Sequence, residues 1–227
     1  MTNPFQMLLN PVQQFAARQV FQAFAKKYDL VYFGYVNQHN DEHELVRGIT
    51  LSARHADRHY CVGHFQGRDL IALLRTDTVV FPGKPTTDYS WAILQIDLER
   101  KNLPHIFIDA NHHDETFYAN LFVKFSNFRN INNQFSDHIY DQQFAKAFKI
   151  YTPPDEAGDA QRILTPDVSL TLLQQFRHFD FEIFDDRLLI YASNAALTPH
   201  TLEQMLRAGI WLAAVIDQYH LPEQLPE

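Results

Sequence analysis

Apolar residues recur along this chain at two periods, and the switches between them outline its elements. Over Pro11–Lys27, Val12, Phe15, Ala16, Val20 and Phe24 fall at helical spacing. Asn10 is placed to cap that helix, Pro11 suits its first position, and Lys26 and Lys27 suit the negative end of its dipole. Short β-branched and aromatic runs follow. They predict strands over residues 30–36, 45–52, 59–65, 68–74, 91–98 and 105–109, with 78–81 continuing the sheet. Residues 37–43 form a polar connection, and Gly48 marks a bulge or a close backbone approach. Gln66-Gly67 turns a hairpin, and residues 82–88, with two prolines and a glycine, form the clearest loop in the chain.

The periodicity weakens over residues 111–143, a stretch rich in Asn, Gln, Phe and His, where 118–125 alternates like a strand yet also fits a helix. It sharpens again from Phe144. Residues 146–152 read as a strand and 155–163 as a short helix. Thr165 caps a second helix that starts at Pro166, carries Asp167 in its first turn and turns Val168, Leu172, Leu173 and Phe176 to the core. Residues 179–184 and 187–191 form a hairpin across Asp185-Asp186, a turn pair whose side chains bond their own backbone. Thr198 and Pro199 repeat the capping device. Leu202, Met205, Leu206, Gly209, Ala213 and Ile216 give the last helix one apolar face, and Ile210, Trp211, Leu212, Ala214 and Val215 a second. A helix apolar nearly all round is buried, within the monomer or against a partner.

These elements predict an α+β fold: a mostly antiparallel sheet of about seven to ten strands flanked by N- and C-terminal helices. The βαβ alternation of a nucleotide-binding sheet is absent from the first half. Residues 1–227 are expected to form a single α+β domain, with a sub-boundary, if any, near 82–88.

Composition narrows the picture. With 227 residues, 46% of them apolar and 14% aromatic, the chain can build a core without metal or disulfide support. Its formal charge of −8 disfavours nucleic acid as a partner. Seven glycines are few for phosphate-cradling loops. The single cysteine, Cys61, excludes an internal disulfide, suits a reducing cytoplasm and reads as a small apolar filler in a strand. No run reaches the ~18 apolar residues of a membrane span, and the first residues lack the basic start of a secretory signal.

Certain punctuation is shared with other sequences: Arg47-Gly48-Ile49-Thr50; Asp57, His59-Tyr60, Gly63 and Gly67-Arg68-Asp69; Leu103-Pro104-His105; and Phe148 to Pro154 leading into Leu164-Thr165-Pro166-Asp167. Over roughly residues 28–195 the chain resembles a family of uncharacterised bacterial hypothetical proteins, a domain of unknown function. Members often carry membrane spans ahead of this domain, where the present chain has the amphipathic Pro11–Lys27 segment. The resemblance implies the fold and no activity.

Candidate chemistry is sparse. His55 and His59 are four apart, as are His39 and His43, and His112-His113-Asp114 clusters. However, Ala56 stands where a metalloprotease helix carries its glutamate, so no metal ligands are assigned. Asp57 with Asp69 and Asp185 with Asp186 are carboxylate pairs that read as structural, Arg68-Asp69 being a strand-start ion pair. His59 and His64 flank Cys61, but strand alternation allows at most one of them to meet the thiol. There is no nucleophile elbow, phosphate loop or dinucleotide fingerprint, and no cofactor is expected. The aromatic crowd from Phe117 to Phe148 reads as core, with a partner-binding surface as the other reading. The favoured function is a non-catalytic protein-interaction or regulatory domain, acting on a protein partner or by self-association, with a homodimer plausible. The alternative is a hydrolase with a His/Asp, metal-assisted site. It requires His55, His59, His64, Asp57, Asp69 and His112 to converge.

Protonating all twelve histidines takes the formal charge from −8 to +4, largely near pH ~6 if the imidazoles keep ordinary pKa values of ~6.5. Solubility or assembly state should therefore change between pH 7 and 5, and an unchanged sedimentation profile over that interval would refute this.

Overall fold

The computed structural model describes residues 11–35, 46, 48–49, 55–80, 82–83, 86–110, 113–134, 142–193 and 197–218. Nine strands form one sheet: β1 (Val31–Phe33), β2 (Ala56–Phe65), β3 (Arg68–Val79), β4 (Thr87–Asp97), β5 (Leu103–Asp109), β6 (Arg129–Asn130), β7 (Lys149–Thr152), β8 (Asp180–Asp185) and β9 (Arg187–Ser193). The spatial order is β1-β2-β3-β4-β9-β8-β5-β7-β6, and every neighbouring pair is antiparallel. Among the described residues six α-helices accompany it: α1 (Pro11–Lys27), α2 (Glu115–Lys124), α3 (Gln142–Ala147), α4 (Ala157–Ile163), α5 (Pro166–Gln175) and α6 (Pro199–Gln218). The α+β class and the antiparallel sheet with helices at both ends are as the periodicity predicts. No helix among the described residues is long and apolar enough to cross a membrane.

β2, β3 and β4 run as a meander, and the loop predicted over 82–88 is shorter at its end, since β4 already begins at Thr87. β5, β7 and β6 form the other half of the sheet. The late β8–β9 hairpin joins the halves by pairing β9 with β4 and β8 with β5. Its turn is Asp185-Asp186: Asp185 takes a φ of 56° and its carboxylate accepts the Asn102 N–H at 3.0 Å.

Strand alternation divides the core in two. Cys61, Leu74, Leu94, Ile106, Phe181 and Ile190 point toward α1 and α6. Tyr60, Leu73, Ile93, Phe107, Leu189 and Tyr191 point the other way, toward Phe117 and Leu121 of α2 and toward Val46 and Ile49. Gly209 lets α6 lie on the sheet, since a Cβ there would sit 2.5 Å from Ile96 Cδ1 and 2.9 Å from Ile190 Cδ1. Both apolar sides of α6 are used within the chain, Trp211 meeting Phe176 at 5.6 Å between ring centroids.

Several boundaries differ from the periodic reading. The segment that alternates like a strand is α2, because Asp114 caps it by accepting the Phe117 N–H at 2.9 Å. The 146–152 strand is really α3 followed by the shorter β7. Phe144 and Phe148, four apart, are both buried with ring centroids 5.0 Å apart, which helical geometry brings about. β3 is one continuous strand rather than two. The 155–163 helix is a 3-10 turn at Pro154–Glu156 leading into α4. Of the 45–52 strand only Val46, Gly48 and Ile49 are described. Gly48 is there for a close approach: its φ is 132°, and a Cβ would fall 2.2 Å from the Tyr191 hydroxyl. Asn10 lies outside the described residues.

The second face also holds charge. Asp57 of β2 and Arg75 of β3 stand opposite each other and join in a bidentate pair at 2.7 and 2.6 Å. Arg75, fully buried, also donates to the Val46 carbonyl at 2.7 Å, and the Tyr60 hydroxyl donates to Asp57 at 3.3 Å. Removing one partner strands the other in the core. Asp57→Asn should therefore destabilise the fold by about 3–5 kcal/mol, while Asp57→Leu with Arg75→Met should recover much of the loss. Denaturant titration of the wild type and the two variants checks both statements.

Candidate functional site

A cleft of about 870 Å3 lies where α1 crosses the β1–β2 edge. A bulge in β2 builds it. Arg58 pairs with Leu74 and Cys61 with Ala72, so His59 and Tyr60 together stand opposite Leu73 alone. Tyr60 enters the second core and Cys61 the first, and His59, with φ 58°, turns toward α1. Its ring stacks between Phe21 and Tyr32, with centroids at 5.9 and 6.2 Å, and Nδ1 meets the Tyr32 hydroxyl at 2.8 Å. Nε2 is buried and has no hydrogen-bond partner among the described residues. Burial, then the charges of Arg58 and Arg18, hold the His59 pKa below the ordinary histidine value. The imidazole is thus neutral at pH 7. Arg18, Arg58, Gln14, Phe15 and Tyr35 complete the lining. Phe15 and Tyr35 are 64% and 66% exposed.

A second cluster forms where β5 ends and β8 begins. Asp109, His113 and Asp180 bring one donor atom each within 4.8 Å of one another. His113 Nε2 lies 2.8 Å from Asp180 Oδ2, and Asp180 Oδ1 accepts the Ala110 N–H at 2.8 Å. The Tyr118 hydroxyl donates to Asp109 Oδ2 at 2.7 Å. Phe117 stacks on the His113 ring at 3.8 Å. Burial alone would lower the His113 pKa. The hydrogen bond and charge of Asp180, with Asp109 and Asp114 behind it, outweigh that and hold it above the ordinary value. These three residues have the donor types to hold a metal ion.

A third group is Glu182, fully buried in β8. It meets His105 Nε2 at 2.6 Å and accepts the Ile49 N–H at 2.9 Å and the Tyr191 hydroxyl. Burial would raise its carboxyl, but these partners, His105 first, hold it below the ordinary range.

The residues named from the sequence do not gather in one pocket. His59 lines the cleft, whereas Asp57 lies on the opposite face of the sheet with Arg75. His64 and Asp69 form an exposed pair at 3.1 Å near the β2–β3 turn. Arg68 therefore does not pair with Asp69; it reaches Asp217 of α6 at 2.5 Å. Cys61 is buried, its thiol directed at the Phe21 carbonyl at 3.4 Å, and burial pushes its pKa up to about 12. His39, His43 and His112 lie outside the described residues. Of the aromatic crowd, Phe117, Phe128, Phe144 and Phe148 are core, while Phe122 is partly exposed. The exposed apolar side chains Phe15, Val31, Phe33 and Tyr35 gather instead at α1 and β1. Sequence reasoning named His113 but missed Asp109 and Asp180. The only available signal was their position as the first or last residue of a strand.

No protein-family model matches the chain, and no curated protein matches it. The crystal structure of the mycobacterial trehalose monomycolate transport factor A, TtfA, is similar in fold. The TM-score is 0.62 at 8% sequence identity, covering 92% of this chain and 99% of that one. At that identity the likeness shows a shared architecture.

The depressed His59 pKa has a signed consequence. The unfolded chain takes up this proton near pH ~6.5 while the folded chain resists it, so stability is lost as pH falls from there through the folded value. Denaturant titrations at pH 7 and 5 should show a smaller loss for His59→Asn, which tolerates the left-handed φ, than for the wild type.

Proposed function

We propose that this chain is a non-catalytic interaction domain and that the α1–β1–β2 cleft receives an acidic segment of a partner protein. The observation that supports this reading is the lining of the cleft. Two guanidinium groups, an imidazole and two exposed aromatic rings line one concavity on an acidic chain. A carboxylate satisfies the arginines bidentately. An apolar or aromatic neighbour on the same segment covers Phe15 and Tyr35. By contrast, the carboxylates and imidazoles on the second face are held by one another in largely buried groups. That arrangement suits packing rather than turnover, and it favours the interaction reading over the hydrolase. A reducing, cytoplasmic setting fits the single buried thiol.

Selection from a displayed peptide library against the purified chain tests this. Enriched sequences should carry acidic residues next to an aromatic or large apolar one. Binding should fall at least ~10-fold on Arg18→Glu or Arg58→Glu, each removing a charge-assisted contact, with circular dichroism unchanged. Enrichment without acidic residues, or binding indifferent to both substitutions, would refute the proposal.

A further inference from the structure

We propose that Asp109, His113 and Asp180 form a binding site for a divalent transition-metal ion of the Zn2+ or Mn2+ class. The argument starts from the sheet. β5 and β8 are antiparallel, with Ile108 opposite Phe181. One step further, Asp109 and Asp180 face each other on the same side, both buried. Like charges directly opposite on neighbouring strands repel, and a cation between them reverses the sign of that interaction. The loop entering α2 brings His113 to this position, and Phe117, one turn into α2, fixes the plane of its ring.

The geometry suits an ion. Two donors that share a metal, each ~2.1 Å from it, stand ~3–3.5 Å apart in a tetrahedral or octahedral shell. His113 Nε2 and Asp180 Oδ2 are 2.8 Å apart, and all three donor atoms lie within 4.8 Å. A small shift would close the set around one ion. The groups behind the donors are also those of a metal site. The Ala110 N–H holds Asp180 Oδ1 and so turns Oδ2 toward His113, and the Tyr118 hydroxyl orients Asp109. One imidazole and two carboxylates favour Zn2+ or Mn2+ over Ca2+, which takes six to eight oxygens. Because the donors bind a metal only when deprotonated, binding would weaken as pH falls.

The chain, freed of metal by chelation, is titrated calorimetrically with Zn2+ and with Mn2+, and with Co2+ while the visible spectrum is recorded. One ion per chain is expected, with Co2+ bands altered by His113→Gln. Asp180→Asn should weaken binding at least ~10-fold. Tyr118→Phe, which removes only the hydroxyl orienting Asp109, should weaken it by about 10-fold. His64→Ala, at the exposed pair, should leave it unchanged. Tyr118→Phe keeps the test decisive if Asp180→Asn does not fold. The proposal is overturned by an absence of saturable binding, by affinity equal in wild type and Tyr118→Phe, or by loss of the ion in His64→Ala.

Discussion

A sheet covered on both faces leaves no solvent for the polar side chains its central strands carry. On the face toward α1 and α6 those positions are almost wholly apolar. On the other face the chain buries Asp57, Arg75, Asp109, Asp180 and Glu182, each of which must find a partner inside the protein, and half-buried His105 meets Glu182 there. The resulting groups lie in sequence across the sheet: Asp57–Arg75 on β2–β3, Tyr191–Glu182–His105 on β9–β8–β5, and Asp180–Asp109 with His113 at the strand ends. Buried pairs of this kind add little net stability over apolar residues of the same volume. A register slip, however, would strand charges on both strands at once, so they penalise alternative pairings.

The same constraint shapes what remains available for recognition. Where every strand alternates cleanly, side chains go to one core or the other. At His59 the bulge breaks the alternation, and the imidazole goes to neither core but to the border between α1 and the sheet edge. The cost is a non-glycine residue at positive φ and a buried nitrogen without a partner among the described residues. That strain falls at a cleft that is also lined by exposed aromatic rings and arginines.

The hairpin of β8 and β9 connects these features. It closes the gap between β4 and β5, supplies Asp180, Glu182 and Tyr191, and places Leu188 and Ile190 under α6. Pairings of such long sequence separation form only after long loops close. The shared architecture with TtfA, at 8% identity, fits a fold held by topology and two apolar faces rather than by particular side chains.

Local physics was enough to read much of the fold from the residues. Thr165 before Pro166 and Thr198 before Pro199 mark helix starts because a cap and a fixed φ need only neighbouring residues. Gln66-Gly67 and Asp185-Asp186 mark turns for the same reason. The α2 segment was ambiguous because its apolar residues fit two periods, and the Asp114 cap together with burial of Phe117 and Leu121 chose the helix. The strand order, the β2 bulge and the meeting of Asp109 with Asp180, 71 positions away, could not be read at all. Nothing local distinguishes these carboxylates from any others at strand ends. Their partners arrive only when β8 inserts beside β5, and that choice is made by burial of both faces of the sheet rather than by the sequence around either residue.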